Sequence, residues 1–460
     1  MATDDLDPLL QRTAALAGEY LAGLSERRVG ALEDAGTIAE RLRVTLPDAG
    51  DDALAVIERM ARDVDPGLVA SAGPRYFGFV IGGAVPASVA ADWLTTAWDQ
   101  NTATHSLSPA GAAAEQVAGE WTKELLGIPA EASHGLPTGA GLGNAVGMAA
   151  ARHALLDRVG WDVEARGLYG APEIQVLIGD EAHATILTAL QYLGLGRDRV
   201  TRVATDEQGR MRADALIEVL SAAPDRPALV CAQAGNVNTG AFDPLGPIAA
   251  AVRRHHNAWL HIDGAFGLWA AVVPRLRRLV AGSELADSWA TDAHKWLNVG
   301  YDCGFVAVRD VGAHRASMAT SAAYLLASET NREGWEYVLD SSRRARGFAL
   351  YATIRSLGRD GIRDLVERCC DLARAMADSL AAVPDVSILN DVSLNQVLVR
   401  FGDDDERTRE IIRRVQEGGE AWMGGTTWHG LAAMRISVSG WQTTEADIDR
   451  TVEAIRAALA

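Results

Sequence analysis

Cysteine is scarce in this chain. There are four in 460 residues: Cys369 and Cys370 are adjacent, and Cys231 and Cys303 stand alone in strand-like runs. Four is too few for a disulfide framework, and none has zinc-site spacing. Reduced, buried thiols in a cytoplasmic protein are expected. Long apolar runs are also missing, and none approaches the roughly 18 residues of a membrane span. The start, Met1-Ala2-Thr3-Asp4-Asp5, lacks the basic residues of a secretory signal. Positive charge is in deficit, with 43 Lys and Arg against 61 Asp and Glu, a net of −18. A field of that sign repels phosphate backbones, so nucleic acid is not an expected partner. There is no internal repeat and no low-complexity tract.

What remains is an ordinary globular composition, 48% hydrophobic and 23% charged. At about 150 residues per domain the length suggests two or three domains. Residues 7–24 and 51–64 carry apolar side chains at three- and four-residue spacing, separated by Pro47-Asp48-Ala49-Gly50, and read as helices. Their apolar face has to be buried somewhere, and a partner subunit is one candidate. From about residue 74 to 325, short apolar runs at 174–178, 228–232, 259–262 and 304–308 alternate with helical stretches such as 143–158 and 182–193. Buried parallel strands covered by helices have this pattern. An open α/β sheet of this kind takes its ligand at the carboxyl ends of its strands. Residues 317–342 are polar and irregular, 343–380 mostly helical. The last eighty or so residues offer strands at 396–401 and 433–439, then a helix at 445–459 with Thr443 or Thr444 as N-cap. The expected division is a helical segment 1–75, a large α/β domain 76–345 and a small α+β domain 346–460.

Five features lie in order along the α/β region. Thr138-Gly139-Ala140-Gly141-Leu142-Gly143-Asn144 precedes a helix. Small residues there let backbone amides approach an anion at a helix N-terminus, although a tight turn alone would select them too. Gly179-Asp180-Glu181-Ala182-His183 follows a strand and projects a histidine from its carboxyl end. Gly235-Asn236-Val237-Asn238-Thr239-Gly240 follows another and offers amides and hydroxyls at the same edge. Trp259-Leu260-His261-Ile262-Asp263-Gly264-Ala265 ends an apolar strand in an acid, which is costly to bury without a cation. No third ligand stands at metal-site spacing from His261 and Asp263, so no metal is assigned. Thr291-Asp292-Ala293-His294-Lys295-Trp296 places a lysine between two strand-like runs. Together the five meet the needs of pyridoxal 5'-phosphate: a lysine for a Schiff base, an acid beside the pyridine nitrogen, a phosphate cradle and a flat group over the ring.

On these residues the chain resembles the fold-type I pyridoxal-phosphate enzymes, and within them the group II decarboxylases related to glutamate and aromatic L-amino-acid decarboxylases. Residues 292–296 and the His-x-Asp-x-Ala pattern at 261–265 are the most specific parts. The resemblance implies an α/β architecture: a mostly parallel central sheet with flanking helices, an N-terminal helical arm and a small α+β C-terminal domain. It implies a Schiff base at Lys295, Asp263 at the pyridine nitrogen, Ala265 beneath the ring and His183 above it. Ala140, Gly141 and His294 would contact the phosphate, with Asn144 closing that loop and Asn236 near the cofactor. Phe77 and Thr102 would face the substrate. The implied reaction is decarboxylation of an L-amino acid to an amine and carbon dioxide through a quinonoid intermediate, in a homodimer with shared active sites. In the family a mobile-loop tyrosine returns the proton. The matching stretch is 317–342, where Tyr337 is the first choice and Tyr324 lies earlier. Members lacking that tyrosine tend to release an aldehyde, so an oxygen-using decarboxylative deaminase is the alternative. A carbon–carbon lyase or a non-catalytic scaffold is a weaker one.

Overall fold

The structure is a computed structural model of the chain and describes residues 6–319 and 331–460. Two sheets organise it. The larger contains β1 (Ser133–Gly135), β2 (Gln175–Gly179), β3 (Thr201–Val203), β4 (Ala228–Gln233), β5 (Ala258–Asp263), β6 (Ser288–Asp292) and β7 (Gly304–Val308), in the order β1-β7-β6-β5-β4-β2-β3. The five strands from β6 to β3 run parallel, while β7 is antiparallel to both neighbours. Every residue of β4, β6 and β7 is buried; β4 and β7 accordingly read as near-continuous apolar runs rather than alternating ones, while β6 carries Ser288, Thr291 and Asp292.

The helix Ala140–Asp157 packs across β5, β6 and β7. Alanine and glycine along it allow close approach: a Cβ at Gly147 would fall 2.8 Å from the His261 ring. Trp259, Trp269, Trp289 and Trp296 fill the core and are among its largest fully buried side chains. Rings of that size bury about 150–250 Å² each, so each contributes several kcal/mol.

The smaller sheet is antiparallel, with β8 (Val386–Ile388), β9 (Gln396–Phe401), β10 (Gly424–Trp428) and β11 (Leu431–Ser437) in the order β10-β11-β9-β8. It is joined to the larger unit by the long helix Gly347–Ala381, which bends at Gly358 (φ 62°), a left-handed position that suits glycine. The closing helix Glu445–Leu459 is held by a capping box between Thr444 and Asp447. A segment from early in the chain also joins this unit. Phe77 N–H donates to the Trp422 carbonyl, and Ser437 N–H to the Phe77 carbonyl. Before it come the helices Leu6–Gly23, Ala35–Leu42 and Ala53–Val64, none of which contains a buried residue. No described helix is long and apolar enough to cross a membrane.

Candidate active site

The carboxyl ends of β2, β5 and β6 meet at one edge of the large sheet. Pairing sets Asp263, the last residue of β5, opposite Gln233 and Ala290 of its two neighbours. Its carboxyl is buried, and Ala265 N–H donates to it at 3.3 Å. Among the described residues no Lys, Arg or His nitrogen lies within 4.0 Å of it. Burial raises its pKa above the ordinary carboxyl value, with the charges of His183 and Lys295 opposing.

His183 caps the helix Ala184–Tyr192. Its Nδ1 accepts from Thr185 N–H at 3.3 Å and lies 2.9 Å from Thr185 Oγ1. A backbone N–H can only donate, so Nδ1 is unprotonated and the ring carries its hydrogen on Nε2. Burial holds the imidazole below its usual pKa. Contacts continue inward: Thr185 Oγ1 accepts from Asn144 Nδ2 at 3.4 Å, Asn144 Oδ1 lies 2.9 Å from His261 Nε2, and His261 Nδ1 lies 2.8 Å from Ser288 Oγ. His261 is driven down to about 3 by burial, so it is a neutral link.

After β6, Asp292 gathers the remaining groups. Its Oδ2 is 3.1 Å from Lys295 Nζ, and its Oδ1 is 3.4 Å from His294 Nε2. Ala140 N–H, the first amide of its helix, donates to Oδ1 at 2.5 Å. The glycine loop lies against β7: a Cβ at Gly304 would sit 2.5 Å from Gly139 Cα. His294 Nδ1 accepts from Cys303 N–H at 3.1 Å, and its ring lies 4.4 Å from that of Tyr301. Burial, Asp292 and Tyr76 push the Tyr301 phenol up to about 12.

The structure thus gathers Lys295, His294, Ala140, Asp263 and His183 at one edge. Asn144 stands behind His183. Ala265 caps the β5 end, its carbonyl accepting from Asp292 N–H at 2.9 Å. Asn236 closes its own turn, with Oδ1 accepting from Asn238 and Thr239 N–H at 2.8 and 3.1 Å.

Three expected residues make no described contact with this cluster within one chain. Phe77 is buried in the core. Thr102 is tied to the 343–344 backbone, its N–H donating to the Arg343 carbonyl. Tyr337 packs edge-on against His314 and beneath Arg332. Tyr324 lies outside the described residues.

Sequence reasoning missed Tyr301, the bridging role of Asp292, and Arg435. Arg435 sits on β11 and is partly buried, 5.9 Å from the Phe79 ring. Its charge acts on His183. Among the described residues its guanidinium has neither an ion-pair partner nor a side-chain hydrogen bond. The one signal was a lone arginine inside the apolar run Ala432-Ala433-Met434-Arg435-Ile436.

Comparison with known proteins agrees with this geometry. Residues 36–401 match the family described as the pyridoxal-dependent decarboxylase conserved domain. Tryptophan decarboxylase 1 of Oryza sativa subsp. japonica is 25% identical over 95% of this chain and 90% of its own length. The acidic amino acid decarboxylase GADL1 of Homo sapiens is 27% identical over 84% of this chain and 73% of its own. The crystal structure of Oryza sativa TDC with PLP and tryptamine superposes with a TM-score of 0.93, at 23% identity, over 100% of this chain and 98% of that one.

Proposed function

The chain belongs to the pyridoxal-dependent decarboxylase family, and from that premise we propose how its own residues remove the carboxyl group of an L-amino acid. It is a pyridoxal-phosphate-dependent amino-acid decarboxylase. The residues present suit the cofactor: Asp263 is a buried carboxyl with no ion-pair partner among the described residues, the Lys295 amine acts on it from beyond 4 Å, and a close-packed glycine loop opens a helix. When bound, pyridoxal 5'-phosphate supplies the electron sink for the pair left at Cα.

The protein's part follows from placement. Lys295 would hold the cofactor through its amine. Asp263 would keep a proton on the ring nitrogen; each pKa unit of that bias is about 1.4 kcal/mol. His183 would lie over the ring and present Nε2–H to the substrate carboxylate, its hydrogen fixed there by Thr185. Gly141 and Leu142 amides, which have no intrahelical partner, would meet the phosphate together with His294. Ala265 and Asn236 would bound the ring. Tyr301, whose ring packs against His294 and is 59% exposed, would supply a proton in place of Tyr337.

Arg435 supports a reading of the substrate. A partly buried guanidinium without a carboxylate of its own is suited to receive one, so it would engage a carboxylate of the incoming amino acid. An acidic side chain would satisfy it, the α-carboxylate being met by His183. The unburied helices of residues 6–64 support a homodimer, since Leu10 and Leu42 are 55% and 47% exposed in one chain. The separate sheets support a division at 1–75, 76–345 and 346–460.

The observation that carries this reading is the convergence of Lys295, Asp263 and His183 on one sheet edge. A panel of amino acids assayed for carbon dioxide release tests it, with acidic substrates turned over ahead of aromatic ones. Product analysis with and without oxygen is expected to give amine in both; aldehyde and oxygen uptake would establish the deaminase instead.

A further inference from the structure

We propose that Asp292 weakens this protein's hold on the phosphate of its cofactor, because its carboxylate occupies part of the seat the phosphate needs. The inference rests on the reading above, in which that seat is the helix start at Ala140 with His294 beside it.

Asp292 is not a surface acid that can turn away. It ends β6, where it pairs with Gly304, and its N–H donates to the Ala265 carbonyl at 2.9 Å. The side chain is buried, and both oxygens are engaged. Oδ1 accepts from Ala140 N–H at 2.5 Å and lies 3.4 Å from His294 Nε2, while Oδ2 lies 3.1 Å from Lys295 Nζ. A Cβ at Gly139 would come within 3.3 Å of Oδ1, so the loop closes tightly over it. His294 and the first amide of the helix start, Ala140 N–H, therefore already face a carboxylate.

A helix N-terminus offers about half a positive charge. Here that charge is shared with a fixed anion before any ligand is considered, and only the Gly141 and Leu142 amides remain free of it. Two anions held side by side in a buried site repel strongly, because solvent screens them poorly. An asparagine at this position would keep the oxygen that accepts from Ala140 N–H and remove the charge. The choice of acid over amide thus sets the strength of phosphate binding without altering the backbone.

The test compares wild type with Asp292→Asn after the cofactor has been stripped from both. Dissociation constants are measured by absorbance for pyridoxal 5'-phosphate and for pyridoxal, which has the ring and aldehyde but no phosphate. The variant is expected to bind the phosphorylated form at least about tenfold tighter, and pyridoxal within about twofold of wild type. Inorganic phosphate should compete with loading of the variant at correspondingly lower concentration. Equal or weaker binding of pyridoxal 5'-phosphate by the variant overturns the proposal. A gain shared equally by pyridoxal overturns it as well, since the effect would then lie at Lys295 and not at the phosphate. If neither protein takes up pyridoxal 5'-phosphate, the seat is misplaced and the reading beneath falls with it. Asp292→Ser provides the same comparison should the asparagine variant fail to fold.

Discussion

Two buried carboxylates in this molecule meet opposite fates. Glu115, in the helix Pro109–Leu126, is buried with both oxygens paired: Arg332 lies 2.9 Å from one and Arg343 holds the other. Burial alone would raise its pKa, but Arg343 and then Arg332 hold it below the usual carboxyl range. Asp263 is buried nearly as completely, yet among the described residues it has no ion-pair partner; Lys295 and His183 act on it only from beyond 4 Å, and its pKa moves up instead. The first acid is satisfied by the fold and braces it. The second is left unsatisfied by the fold, a cost that persists only if something else supplies the charge. The contrast separates architecture from chemistry where burial alone would not.

Substitutions sharpen that contrast. The largest effect is expected from Lys295→Ala, which should abolish both turnover and the absorbance of bound cofactor; a variant with unchanged turnover would remove the basis of the mechanism. Glu115→Gln should cost stability, about 3–5 kcal/mol by denaturant titration, because buried Arg343 and partly buried Arg332 lose their counter-charge. Asp263→Asn should do the reverse. Its melting temperature should hold or rise, while turnover drops about 10²–10³-fold. A large stability loss there would erase the distinction between the two acids. Arg435→Met should raise KM about ten- to a hundredfold, the worth of one charged hydrogen bond, and leave kcat less affected. The smallest effect is expected from Thr185→Val. His183 is held neutral below the usual histidine pKa, so the acid limb of kcat/KM should fall below about 6.5. Removing a donor to Nδ1 favours the protonated ring and should move that limb upward by a few tenths of a unit.

Much of this is legible in the sequence. The apolar runs at 228–232 and 304–308 are strands because five or more consecutive apolar residues bounded by polar ones have few other places to go. The helix at 445–459 starts and ends where its cap and spacing put it. Short strands were not legible: β1 and β3 have three residues each and no period to detect. Lys295, Asp263 and His183 stood out because each follows a strand, and strand ends share an edge. Arg435 did not, because it enters from β11, a strand of the other sheet, and no local pattern records that the two sheets meet. Tyr337 illustrates the converse: proximity in sequence to the irregular stretch suggested access, whereas packing against His314 places the ring elsewhere.

The stitching of residues 75–77 onto the small sheet bears on the order in which the polypeptide can mature. Arg75 Nε donates to the Glu420 carbonyl across 345 positions of sequence. A nascent chain leaving the ribosome therefore exposes this stretch long before its partners have been translated. Contacts so remote are slow to form, and an unpaired apolar segment is prone to aggregate while it waits. Synthesis rate and chaperone supply should govern the soluble yield of this protein more than the stability of its finished core.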